Sequence, residues 1–318
     1  MPGTSSKKSV CLMTMPTLET LSSRLRLKQL RLLVALDDHG SIHRAAEIIG
    51  ITQPGATKAL HDVEETLGAT LFERTSKGLN ANAMGRCAIR YARLILTDLS
   101  HLRQEMHGIF QGHGGRLTVG TIMGGVPLLT AGVLRLRKRQ PQATIEIVED
   151  TSVKLLSLLD QGRLDMALCY PSVSPRPTAY DSISMKPEAL VVMANPNHPL
   201  VGRESLTLEE LADSGWVIFS ANMPLRQTLE REFHESGVNF PAHPIETSST
   251  FATLLLLISD PNLVAVLPTD VAELPLLQAM LTALPCTITP KSEPFAIVTR
   301  TQVELSQLTH LLIEELTT

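Results

Sequence analysis

The sequence predicts an α/β protein with a helix-rich front: a winged helix-turn-helix, a long dimerisation helix, then two α/β lobes. Three observations carry this expectation. Two short helical segments are joined by a glycine turn near the N-terminus, an apolar seam with alternating spacings of four and three runs from Ala88 to Ile109, and strand-like and helix-like stretches alternate from residue 116 onward. At 318 residues, 43% of them hydrophobic and 19% charged, the chain is long enough for two or three packed cores.

Residues 1–23 read as a disordered extension. Lys7 and Lys8 precede Val10, Cys11, Leu12 and Met13, but neither a long apolar core nor a small-residue cleavage site follows, and Met13 and Met15 offer alternative starts. Residues 24–81 form the predicted winged helix-turn-helix. Arg24 to Asp38 is helix-like, with Leu25, Leu30, Leu33 and Val34 on one side. His39-Gly40-Ser41 ends it, and Ser41 caps a second helix, Ile42 to Ile49, whose Ala45 and Ala46 permit a close helix crossing. After the Gly50-Ile51 turn, Thr52 caps a third helix that tolerates Pro54 in its first turn and stops at Gly68. A helix placed this way presents its first-turn side chains to the major groove of DNA. Thr70 to Asn80 reads as a β-hairpin with Ser76-Lys77-Gly78 at its tip, a wing.

Residues 82–113 form the predicted linker helix, capped by Asn82 and broken by Gly112, Gly114 and Gly115. Its seam is Ala88, Ala92, Ile95, Leu99, Leu102, Met106 and Ile109, a coiled-coil pattern over roughly three heptads that predicts a homodimer. Residues 114–318 form the rear domain, with lobe I at about 116–188 and 296–318 and lobe II at about 189–295. Leu117–Thr121, Val126–Arg139, Thr144–Glu149, Ser152–Gln161 and Leu164–Cys169 follow a βαβαβ order, which implies a Rossmann-like parallel sheet with helices on its faces. A second alternation runs through Ala189–Met193, Trp216–Phe219, Leu225–Glu235, Pro244–Thr247, Phe251–Ser259, Leu263–Val266 and Phe295–Thr299, and Gln302–Glu315 closes the chain as a helix.

Charge divides along the same line. Residues 1–113 carry 14 Lys/Arg against 10 Asp/Glu, and residues 114–318 carry 14 against 22, so a basic front is joined to an acidic body. Counterion release on DNA rewards basic surface, which suits DNA binding by the front alone. No apolar run approaches the ~20 residues that span a bilayer. Cys11, Cys87, Cys169 and Cys286 are scattered without a C-x-x-C pair, which argues against a disulfide framework or a zinc site and fits the reducing cytoplasm. His101, His107 and His113 recur every six residues, a spacing that scatters them around a helix, so no metal site is expected.

From Leu25 onward the sequence resembles the LysR-type transcriptional regulator family. The match lies in Gly40-Ser41-Ile42-x-x-Ala45-Ala46, Thr52-Gln53-Pro54 with Thr57-Lys58, and Glu64-x-x-Leu67-Gly68-x-x-Leu71-Phe72-x-Arg74, followed by Gly162-x-Leu164-Asp165-x-Ala167 and His198-Pro199-Leu200. Gly55 departs from the family's usual alanine, at about 1 kcal/mol of helix propensity. Lys58 stands where Arg is common, and Asn82-Ala83-Met84-Gly85 replaces the usual Thr-x-Ala-Gly. The resemblance implies periplasmic-binding-protein-like lobes that bind a small-molecule effector, a homotetramer built as a dimer of dimers, DNA bending, and contact with RNA polymerase.

Candidate site residues follow. Gln53 can donate and accept at an adenine edge of double-stranded DNA, Thr57 offers a hydroxyl, and Pro54 suits a thymine methyl. Lys58 on the third helix, Arg74 and Lys77 on the wing and Arg44 on the second helix are expected on phosphates, and Thr52, which caps the third helix, is counted with the DNA-binding residues. A dimer predicts an operator with an inverted repeat, its halves about one helical turn apart or a multiple of that. In an open α/β sheet, ligands bind outside the carboxyl ends of parallel strands. Here that selects Thr121, Met123, Gly124, Thr151, Ser152, Ser220, Ser249 and Thr250 for a small effector such as a carboxylate. Cys169 is expected to be a buried hydrophobe in preference to a redox sensor.

An enzyme is disfavoured. No Walker A loop, H-E-x-x-H, G-x-S-x-G or G-x-G-x-x-G stretch occurs, no cofactor is expected, and Asp165 reads as structural. A two-lobed solute-binding protein is the remaining alternative, and the front helix-turn-helix argues against it.

Overall fold

The computed structural model describes residues 16–76, 78–111, 115–221, 223–288, 293–301 and 303–318, with the side chains of 104, 105 and 107–111 excepted. The expectations placed on residues 1–15, on Lys77 and on Gly112 and Gly114 lie outside these residues. The chain forms two compact units, one reaching Arg103 and the other beginning at Gln104. Among the described residues no helix is long and apolar enough to cross a membrane.

The front unit holds α1 (Leu18–Arg24), α2 (Leu27–His39), α3 (Ile42–Ile49), α4 (Gln53–Leu67), the hairpin β1 (Phe72–Thr75) and β2 (Gly78–Ala81), and most of α5 (Ala83–Gln111). Two expectations are corrected here. The predicted disordered extension contains α1, opened by Thr17, whose hydroxyl accepts from the Thr20 N–H. The single helix expected from Arg24 is interrupted at Leu25–Arg26, where both residues are extended. Ser41 and Thr52 cap α3 and α4 as expected, accepting from the backbone of Arg44 and Gly55. The core gathers Leu32, Leu33 and Leu36 of α2, Ala45 and Ala46 of α3, Ala56, Leu60 and Val63 of α4, and Leu71 and Phe72 of the wing base.

The rear unit contains two five-stranded mixed sheets. Lobe I has β3 (Arg116–Thr121), β4 (Thr144–Glu149), β5 (Met166–Cys169), β6 (Tyr180–Ser184) and β12 (Ala296–Arg300) in the order β4-β3-β5-β12-β6, with α6 (Val126–Arg139), α7 (Ser152–Asp160) and α12 (Gln307–Thr317). Lobe II has β7 (Leu190–Ala194), β8 (Gly215–Phe219), β9 (Ile245–Thr247), β10 (Leu263–Pro268) and β11 (Thr282–Ile288) in the order β11-β7-β10-β8-β9, with α8 (Pro224–Glu235), α9 (Thr250–Ser259) and the short α10 (Thr269–Ala272) and α11 (Pro275–Gln278). The parallel sheet expected from the βαβαβ order is only part of each. β3 is parallel to β4 and β5, but β12 runs antiparallel to both β5 and β6, and β7 runs antiparallel to β10 and β11. The cause is that β12 returns to lobe I after the chain has traversed lobe II, so no crossover helix fixes a parallel direction.

Each lobe has its own core. Leu117, Leu129, Leu155, Leu164, Ile297 and Leu312 fill lobe I, while Trp216 packs edge-on against Phe233 at 5.3 Å in lobe II. Asp165 is structural as expected: its carboxylate accepts from the Thr118 N–H at 2.7 Å and ties β5 to β3. His198 is buried, and its Nδ1 accepts from the Leu200 N–H, which closes the His198-Pro199-Leu200 turn.

Candidate DNA interface and effector cleft

The front unit positions α4 and the wing through a few backbone contacts. The Glu64 carboxylate accepts from the Leu71 N–H at 2.7 Å and from Phe72 at 3.4 Å, fixing the wing's base to the end of α4. The Leu79 N–H donates to the Gly40 carbonyl at 2.8 Å, so β2 is held by the turn between α2 and α3. Gly78 has φ +119°, and a Cβ there would lie 2.5 Å from that same carbonyl oxygen, so only glycine fits. Asn82 caps α5 by accepting from Gly85, and its amide donates to the Thr70 carbonyl.

On this frame Gln53, Pro54, Thr57 and Lys58 are exposed along the first turns of α4, and Arg74 is exposed on β1. The Thr57 hydroxyl donates to the Gln53 carbonyl, which leaves its oxygen lone pairs free to accept from a base amino group. The Thr52 oxygen accepts from the Gly55 N–H, 3.3 Å away, which caps α4 and leaves its O–H free to donate. Arg44 is paired with Glu47 at 3.1 Å on the surface, a contact easily exchanged for a phosphate. Lys77 lies outside the described residues.

The seam of α5 divides. Ala92 is fully buried within the single chain, and Ala88 packs against the front core beside Ile89. Ala92 is therefore closed to a partner, a correction to the expected dimer seam, while Ala88 stays half-buried. Arg93 reinforces that docking through Asp37 at 2.8 Å and Asp38 at 2.5 Å. Ile95, Leu99, Leu102 and Met106 are instead 40, 39, 53 and 62% exposed. The Ile109 side chain lies outside the described residues.

In the rear unit the expected effector residues meet different fates. Thr121 is buried with its hydroxyl turned to the Ile122 carbonyl, and Ser152 is buried with its oxygen accepting from the Tyr170 N–H. Thr151 and Ser249 cap α7 and α9. Met123 inserts into the core of lobe II among Met193, Val217 and Leu267, so it joins the lobes and is closed to a ligand. Ser220 is half-buried at the end of β8. Thr250 donates to Glu149 at 2.5 Å, linking α9 of lobe II to β4 of lobe I.

The sequence reading missed the acidic groups at this junction. Glu188 lies on the strap between β6 and β7, where the Tyr170 hydroxyl donates to its Oε2 at 2.5 Å and its Oε1 is buried without a hydrogen-bond partner. The Glu188 carboxylate fills the space beside Gly124 that a Cβ would occupy. Burial raises the Glu188 pKa, the Tyr170 hydrogen bond opposes the rise, and Asp270 adds to it. Asp270 is paired with Lys186 at 3.2 Å. Cys169 is fully buried, and its thiol is pushed up to about 12 by desolvation, as suits a hydrophobe.

Comparison with known proteins accords with this geometry. Residues 27–86 match the bacterial regulatory helix-turn-helix of the lysR family, and residues 110–318 match the LysR substrate binding domain. The chain is 35% identical over 239 residues to the HTH-type transcriptional regulator GbpR of Azospirillum brasilense, covering 74% of this chain and 70% of that protein. It is 26% identical to the uncharacterized HTH-type transcriptional regulator YdcI of Escherichia coli, covering 92% and 95%. Full-length CbnR complexed with its target DNA is similar in fold, with a TM-score of 0.64 at 18% identity over 92% of this chain and 99% of that one. Full-length OxyR of Pseudomonas aeruginosa gives 0.61 at 21% identity over 92% and 94%. With its capped helix-turn-helix, wing and two-lobed rear unit, the chain belongs to the LysR family and is a DNA-binding transcriptional regulator with a substrate-binding effector domain.

Proposed function

We propose that Gln53 reads base edges in the major groove, with Thr57 and Pro54 beside it, while Lys58, Arg74, Lys77 and Arg44 hold phosphates. The supporting observation is the row of exposed, first-turn side chains on a helix whose N-cap is already satisfied by Thr52. The chain acts as a homodimer paired along Ile95, Leu99, Leu102 and Met106, because four apolar residues exposed in one stripe of a helix call for a partner. Its operator is then an inverted repeat, and by family resemblance two dimers form a tetramer that contacts RNA polymerase in the cytoplasm.

The effector binds between the lobes of residues 114–318. Glu149 accepts where α9 of lobe II meets β4 of lobe I, and Glu188 beside Gly124 keeps its Oε1 without a partner, so a ligand that presents hydroxyl or amine donors suits this junction better than the carboxylate expected from sequence. The deciding experiment for the front unit is Gln53→Ala in fluorescence anisotropy with operator and random duplexes. Specific binding should weaken by about 1–3 kcal/mol while salt-dependent binding to random DNA persists. Equal loss on both duplexes would remove Gln53 from base reading.

A further inference from the structure

Between α1, the start of α2 and one face of α4 lies a groove of about 480 Å³ that the sequence motifs do not account for. Arg24, Arg26, Lys28 and Lys58 line it, against the single carboxylate of Asp62. All four cations are exposed, and none is paired with a carboxylate among the described residues. Like charges gathered on a folded surface repel one another, so such a cluster is retained at a cost unless a polyanion neutralises it. Arg24 and Arg26 precede residue 27, where the match to the family's helix-turn-helix begins. Arg24 ends α1, and Arg26 sits on the extended link that opens α2.

The geometry points to a second phosphate-binding surface, in which Arg24, Arg26 and Lys28 grip the DNA backbone flanking the segment of groove read by α4. Lys58 supplies the continuity, since it lines this groove and also follows Gln53 and Thr57 on α4. The site is built before DNA arrives. Thr17 caps α1, and the Gln29 side chain accepts from the Arg26 N–H at 2.8 Å, so the extended Leu25–Arg26 link is pinned at the groove's edge. Fixed cations bind phosphate without the ordering cost of a disordered arm. These contacts carry no base information; they lengthen the footprint and set its salt dependence. The inference rests on α4 as the DNA-reading helix.

The test measures anisotropy of the full-length protein on a random-sequence duplex of about 40 bp across a salt series. Each lost phosphate contact reduces the slope of log K against log salt by about 0.9, so Arg24→Gln/Arg26→Gln should reduce it by about 1.8. The lysine pair, Arg24→Lys/Arg26→Lys, should restore it. The charge-matched pair Arg137→Gln/Arg203→Gln in the rear unit should leave it unchanged. An unchanged slope in the glutamine pair, or an equal fall in the rear-unit pair, would overturn the proposal. So would thermal unfolding that accounts for the loss while the lysine pair fails to restore binding. Gln53→Ala separates the two readings, because it alters discrimination between operator and random DNA and leaves this slope intact.

Discussion

Replacing Leu102 with aspartate tests the pairing of two chains along α5. Burying a whole leucine side chain contributes roughly 1.5–3 kcal/mol. Leu102 is 53% exposed in the single chain, so about half of that, roughly 0.8–1.5 kcal/mol, remains to be gained on pairing. A two-fold dimer contains the residue twice, which brings the loss to about 1.6–3 kcal/mol before repulsion between the two carboxylates is added. The dissociation constant should rise at least roughly 15- to 150-fold. Sedimentation velocity of the full-length protein over a dilution series reads this directly. Ala92→Leu is the contrasting variant: its position is buried inside the monomer, so overpacking should cost about 1–3 kcal/mol of folding stability while dimer affinity holds. If Leu102→Asp sediments like the parent at every concentration, the exposed stripe is not the dimer seam.

Three further outcomes are expected. Gly85→Ala places a Cβ 2.1 Å from the Leu71 carbonyl oxygen, so backbone must shift and chemical denaturation should show a loss of about 1–3 kcal/mol, with little change if α5 can slide. Because the folded state raises the Glu188 pKa above its ordinary 4.5, its protonated form is favoured there. Its stabilising effect is full below that value and fades as pH rises through the folded pKa. Glu188→Gln, which keeps the neutral form, should therefore gain thermal stability relative to the parent as pH rises to neutral. A difference that is flat with pH would contradict this sign. Thiol titration of the native protein should label the exposed Cys87 well before Cys169, with Cys169 reacting only on unfolding; equal rates would place Cys169 in reach of solvent.

Much of the front unit was legible because its signals are local. Ser41, Thr52 and Asn82 each cap the helix that follows them, and capping depends only on residues three positions on. Ala92 is buried inside the monomer although its heptad position also suits a dimer seam, because small residues there serve a tight contact of either kind. Hydropathy alone does not separate the two. In the rear unit β11 carries Pro285 and a register shift between Leu284 and Thr287, features that argue against a strand when only the sequence is seen. β6, Tyr-Asp-Ser-Ile-Ser, is an exposed edge strand with no alternation to find. Ser and Thr after a strand suit a ligand and a helix cap equally, and Thr151 and Ser249 are caps. Glu188 has no motif at all: its character comes from Tyr170 and Gly124, which only the fold brings to it.

The Gly40 carbonyl, held by the Leu79 N–H and crowded by Gly78, has a mechanical consequence. The turn that launches α3 and the strand β2 share one oxygen atom, and Glu64 ties the end of α4 to Leu71, so the span between α4 and the base of the wing is set like the opening of a caliper. A duplex whose adjacent grooves do not fit that opening must itself deform. Operators would then be selected partly by how cheaply they adopt the required width, at positions no side chain touches.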